Sequence, residues 1–181
     1  MSAIASLLER WRGLMWAARG GVRAANTPRI QGPRCIVRVD RGGELRIGRN
    51  LVVDRDVEIV VYAGAVLELG DNVYVGHGTT IACAHSIRIG SETLVGDLVS
   101  IRDMNHRREP GVPLRSSGSS VAPVRIGTNC WLGSKVTITA GTELGDEVTV
   151  AANAAVSGRF DARSTIGGVP AKVIASAERR E

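Results

Sequence analysis

Aliphatic residues at every sixth position constrain this chain more than anything else in it. From Ile126 the series runs Ile126, Leu132, Ile138, Leu144, Val150, Val156. Four residues after each of the first five stands another small or β-branched residue: Cys130, Val136, Thr142, Val148, Ala154. The same frame recurs upstream in threes: Ile47, Val53, Ile59; Leu69, Val75, Ile81; Ile89, Val95, Ile101. Each set opens alike, as Ile47-Gly48-Arg49-Asn50, Leu69-Gly70-Asp71-Asn72, Ile89-Gly90-Ser91-Glu92, Ile126-Gly127-Thr128-Asn129 and Leu144-Gly145-Asp146-Glu147. Neither a helical period nor a long two-residue alternation yields this register. Three six-residue steps describe a triangular coil, with a short strand on each side, a turn at each corner and aliphatic side chains stacked inside. Gly and Asn suit corners that need positive φ. A weaker first coil is expected from Ile30 and Ile36.

Composition agrees with a regular stack. Of 181 residues, 44% are hydrophobic but only 3% aromatic, and 22 are Gly, so Val, Ile, Leu and Ala must fill the core. The length suits one domain and a short extension. A net charge of +5 comes with no aromatic stacking platform or known nucleic-acid motif, which argues against nucleic acid as a partner. Cys35, Cys83 and Cys130 are odd in number and irregularly spaced, as expected of reduced thiols in a cytoplasmic protein. Glu9, Arg10 and Arg12 interrupt any signal-peptide core, and no apolar run reaches membrane-spanning length.

The register breaks once at length, over residues 102–125, between Ile101 and Ile126. Pro110, Gly111, Pro113 and a Ser-rich stretch make this a protruding loop, with Asp103-Met104-Asn105-His106 at its base. Trp131-Leu132-Gly133-Ser134 follows where the repeat resumes.

The segment Ile89-Gly90-Ser91-Glu92-Thr93-Leu94-Val95, the loop with Asn105-His106, the stretch from Val124 to Ile138 and the closing Gly167-Gly168-Val169-Pro170-Ala171-Lys172 together resemble the hexapeptide-repeat acyltransferases. The likeness is to galactoside and maltose O-acetyltransferases and to surface-polysaccharide O-acetyltransferases, over about residues 47–174. It implies that the stack is left-handed, so that the whole is expected to be an all-β solenoid, a left-handed parallel β-helix over residues 26–174, with a helical extension at 1–25, one protruding loop and a polar tail at 175–181 read from the residues themselves. It also implies a homotrimer with sites between subunits, acetyl-CoA as acyl donor, a sugar or glycan acceptor and no metal.

Counted without a gap from Ile89-Gly90, His106 falls on the family's catalytic histidine. A neutral imidazole would take the acceptor hydroxyl's proton as its oxygen attacks the thioester, then return it to the thiolate. By resemblance Ser134 lies beside the thioester, its backbone N–H aimed at the intermediate's oxyanion. The family's carboxylate partner for the histidine is missing, since Ser116-Ser117-Gly118 stands there; Asp103 is the preferred substitute, ahead of Glu109. Ala152 and Ser157 correspond to coenzyme A contacts, and Lys172 and Arg159 would meet its phosphates. Asn105, His77, His85 and Trp131 are the acceptor candidates; Gly76-His77-Gly78 replaces the Asn and Asp that family members offer a simple galactoside.

A sugar N-acetyltransferase is the alternative on the same fold. A zinc γ-class carbonic anhydrase uses three histidines on this helix, but His77 and His85 are too far apart in sequence for its close pair, and no histidine lies upstream. A non-catalytic scaffold would need neither the loop histidine nor the C-terminal signature.

Residues 1–25 stand outside the repeat. Ile4, Leu7, Leu8, Trp11, Leu14 and Met15 recur at helical spacing, with Arg10, Arg12 and Arg19 among them. The expected role is a helix capping the first coil or packing between subunits through that apolar stripe. Peripheral contact with the inner face of a membrane is the alternative.

Overall fold

The six-residue register appears in space as columns. The computed structural model describes residues 3–176, and the strands among them form three parallel faces of a left-handed β-helix. The first face stacks Val22–Ala24, Glu44–Ile47, Val66–Leu69, Ser86–Ile89, Val124–Ile126, Glu143–Leu144 and Arg159–Phe160. The second stacks Arg29–Ile30, Val52–Val53, Tyr74–Val75, Leu94–Val95, Trp131–Leu132, Thr149–Val150 and Ser164–Gly168, with Ala171–Ser176 folded back antiparallel on the last. The third stacks Ile36–Val39, Glu58–Val61, Thr80–Cys83, Ser100–Arg102, Thr137–Ile138 and Ala155–Val156.

Inside each face the sixth-position residues are in register: Ile47, Leu69, Ile89, Ile126, Leu144 and Phe160 on the first. Ile59, Ile81, Ile101, Ile138 and Val156 form such a column on the third, each fully buried. Each buried aliphatic side chain contributes about 1.5–3 kcal/mol by leaving water. The stack supplies this repeatedly without bulky rings, which accounts for the aromatic-poor composition.

The first coil departs from expectation by one residue. Ile30 is buried and pairs with Val53 as predicted, but Ile36 is exposed beside Glu58, and Val37 occupies the core beside Ile59. Strand alternation explains the shift: neighbours face opposite sides, so only one of Ile36 and Val37 can point inward. The corners also divide their labour differently. Asn50, Asn72 and Asn129 have positive φ, whereas Gly90 is required by close approach: a Cβ there would lie 2.4 Å from the Gly127 carbonyl oxygen.

The long interruption is more ordered at its stem than a plain loop. After Asp103, Met104–His106 pairs antiparallel with Ser119–Val121, His106 opposite Ser119. The Ala122 N–H donates to the Asp103 carbonyl and closes the base.

Helix α1 (Ala3–Ala17) lies on the first coil against Val22–Ala24 and Arg29–Ile30. It does so through the face opposite the one expected. Glu9, Gly13 and Trp16 are buried, while Ile4, Leu7, Trp11 and Leu14 are exposed. Gly13 explains the choice, because its backbone approaches the Pro28 carbonyl more closely than any side-chain-bearing residue allows.

Candidate active site

Chain order runs first face, second face, third face, so functional positions sort by corner. The corner between third and first faces carries Tyr62, Ala84-His85, the excursion from 103 to 122, and Ser157-Gly158. The corner between second and third faces carries Asp56, His77, Asp97, Ser134 and Ala152.

At the first of these corners a cleft of about 710 Å³ is lined by Tyr62, Ala84, Arg102, Met104, Asn105, His106 and Ser119. His106 is exposed there, and its imidazole makes no hydrogen bond or ion pair among the described residues. The antiparallel stem fixes its backbone, leaving the ring free to meet a ligand. Glu109 is 3.8 Å from the Arg107 guanidinium rather than at the histidine.

Asp103 does not serve His106 as expected. It is fully buried, and its carboxylate accepts the backbone N–H groups of Ala84, His85 and Ser86, each at 2.7 Å. A buried carboxylate must be satisfied, and three donors from the turn below satisfy it. Asp103 therefore ties the departure point of the excursion to the preceding coil. Its negative charge, after burial itself, also pushes the Cys83 thiol up to about 12.

His85 is exposed in that tethered turn, one coil below His106. His77 stands at the other corner, its Nδ1 3.5 Å from an Asp56 carboxylate oxygen and 3.3 Å from the Arg55 carbonyl oxygen. The three histidines thus do not converge. Among the described residues no three His, Cys, Asp or Glu side chains are gathered as metal ligands.

Ser134 shows what its corner can offer. At some corners the residue after the glycine donates its N–H to a side chain of the coil above: Arg49 and Thr128 to Asp71 and Asp146, each at 2.7 Å, and His77 to Asp97 at 3.0 Å. Above Ser134 stands Ala152, whose methyl group accepts nothing. The Ser134 N–H has no acceptor among the described residues, and Ser134 is exposed.

The remaining candidates are spread along the upper coils. Ser157 is exposed at the same corner as the excursion, and Arg159 follows on the first face, 3.6 Å from Glu143. Trp131 is exposed on the second face, and Lys172 lies on the returning strand of that face, opposite Gly167. Within one chain, then, His106 and Asn105 line one edge of the third face, and Ser134, Ala152 and His77 line the other.

Sequence reasoning missed Tyr62, Arg102, Met104 and Ser119 as cleft residues. The coil spacing held the signal for one: Val61 registers with Cys83, so Tyr62 lies directly beneath Ala84. Arg102 is the exposed outward neighbour of buried Ile101. Ser119 needed the antiparallel stem, which no repeat predicts.

The family described as the hexapeptide repeat of succinyl-transferase matches residues 123–157. WbbJ of Escherichia coli (strain K12), named as an O-acetyl transferase of lipopolysaccharide biosynthesis, is 33% identical over 148 residues, covering 77% of this chain and 74% of that protein. Galactoside O-acetyltransferase of the same organism is 29% identical over 65% of this chain, and the match spans 58% of its own length. Among solved structures, AntD, an N-acyltransferase from Bacillus cereus in complex with dTDP and coenzyme A, superposes with a TM-score of 0.73 at 16% identity, over 93% of this chain and 90% of that one. A galactoside acetyltransferase in complex with coenzyme A gives 0.58 at 21% identity, over 99% and 86%. At these identities the two structures speak for the fold.

Proposed function

Because the chain belongs to the hexapeptide-repeat acyltransferases, we propose that it is an O-acetyltransferase moving the acetyl group of acetyl-CoA to a hydroxyl of a sugar or glycan intermediate. The observation that carries this reading is the exposed His106 imidazole, without a partner among the described residues, in a cleft wide enough for a sugar. His106 Nε2 or Nδ1 accepts the hydroxyl proton while the oxygen attacks the thioester carbonyl. The tetrahedral oxyanion is held by the free Ser134 N–H, and collapse expels the thiolate, which recovers the proton from the imidazolium. Asp103 takes no proton here; it positions the excursion.

His106 and Ser134 belong to opposite edges of one face, so this chemistry calls on two chains. A cyclic homotrimer meets that need by setting the His106 edge of one subunit beside the Ser134 edge of the next. Coenzyme A would run along the groove so formed, near Ala152 and Ser157, with Arg159 and Lys172 toward its phosphates. Asn105, His85 and the newly located Arg102 and Tyr62 face the acceptor. The protein would work in the cytoplasm, where acetyl-CoA and reduced thiols coexist.

The test is a screen of hydroxyl and amino sugars with acetyl-CoA, reading thiol release and product mass. An ester product supports the proposal. An amide product moves the protein to the sugar N-acetyltransferases, and no thiol release with any acceptor class counts against transfer by this site.

A further inference from the structure

Helix α1 is held in one orientation by what it buries. Glu9 and Trp16 are 6% and 4% exposed, Glu9 forms an ion pair with Arg29 at 3.2 Å, and Gly13 sits directly against Pro28. The helix therefore cannot roll to hide its other side. At roughly 100° per residue, the outward side consists of Ile4, Leu7, Leu8, Trp11, Leu14 and Met15, all exposed, the first two by 72% and 71%. Arg10 borders this surface on one flank and Arg12 on the other. No acidic side chain of α1 shares it, since Glu9 is turned inward.

A contiguous apolar helix face in water is costly and marks a contact site. Its borders say which kind. Arginine on both flanks complements an anionic surface, and long Arg side chains can reach a headgroup layer while the apolar face sinks beneath it. Among the described residues no helix is long and apolar enough to cross a membrane, so this helix would lie on one.

We propose that α1 docks the protein on an anionic lipid surface, inserting Leu7, Trp11 and Leu14 between Arg10 and Arg12. The rest of the molecule needs no change to do so, because the inward face already holds the helix to the first coil. Docking through α1 does not depend on acyl transfer at the His106 cleft.

The experiment is co-sedimentation of the full chain with vesicles of phosphatidylcholine, alone or mixed with phosphatidylglycerol, at low and high salt. Expected are binding to the mixed vesicles, weakening with salt, and a blue shift of tryptophan emission that Trp11→Ala removes. Leu7→Glu should weaken binding at least about tenfold with unchanged melting temperature and sedimentation, and Arg10→Gln should weaken only the salt-sensitive part. A full chain that stays in the supernatant with anionic vesicles overturns the proposal. So does a Leu7→Glu variant that sediments as a smaller species, which would make this face a contact between copies.

Discussion

Asp103 and His106 stand three residues apart at the root of one excursion and have opposite fates. The Asp103 carboxylate is buried against the N–H groups of residues 84–86, while the His106 ring is exposed in the cleft with no partner among the described residues. The pair works as anchor and tool. One fixes where the chain leaves the coil, and the other is carried out to meet a ligand.

His106→Ala should leave the fold and coenzyme A binding intact and reduce acetyl transfer at least about a hundredfold. Thioester consumption with an identified acceptor checks this. Near-normal turnover would remove His106 from the mechanism.

Asp103→Ala should behave differently. It strands three part-buried N–H donors at residues 84–86, and stability should fall by about 3 kcal/mol. Chemical denaturation measures that loss. Activity should also fall, but with an unchanged pH profile for the surviving rate, because Asp103 does not touch the imidazole. A shifted profile would mean that the carboxylate tunes His106 after all.

The sequence disclosed the columns because every coil repeats them; Ile47, Leu69 and Ile89 need no structure to be aligned. It disclosed the position of the excursion for the same reason, as a gap in a regular count. It could not disclose what Asp103 does, since a carboxylate beside a histidine in sequence says nothing of the turn one coil below. Nor did it tell the two sides of α1 apart. An apolar stripe is ordinarily the buried one, and the approach of Gly13 to Pro28, which no spacing in the chain announces, reverses that.

Trp16 and Trp11 separate the two sides of α1 by stability. Trp16 is 4% exposed and Trp11 59%. Trp16→Ala should cost about 3 kcal/mol or more, whereas Trp11→Ala should leave the melting curve nearly unchanged. Equal losses would mean that the outward face is also packed in solution.

The thiols should titrate unequally. Burial raises all three, and together with the Asp103 charge it pushes Cys83 up to about 12, but Cys35 is only partly buried. A small aromatic disulfide reagent at mildly basic pH should modify Cys35 slowly and leave Cys83 and Cys130 untouched until the protein unfolds. Mass spectrometry of the labelled chain reads the outcome.

The final expectation concerns how a complete site is assembled. His106 and Ser134 lie on opposite edges of the third face, so if both act on one thioester they come from neighbouring subunits. Sedimentation should then give about three times the chain mass of 19.1 kDa. A sharper measurement uses two inactive variants. His106→Ala removes the base. Ala152→Asp places a carboxylate above Ser134, as Asp71 stands above Arg49 and Asp146 above Thr128, so it should occupy the Ser134 N–H and repel an oxyanion. Each variant alone should be nearly inactive. Unfolded together in equal amounts and refolded as mixed trimers, they should regain about a quarter of the wild-type sites, since a site is intact when a chain with His106 is followed by one with Ala152. A mixture as inactive as its parents, from trimers demonstrably mixed, would mean that His106 and Ser134 do not meet between subunits.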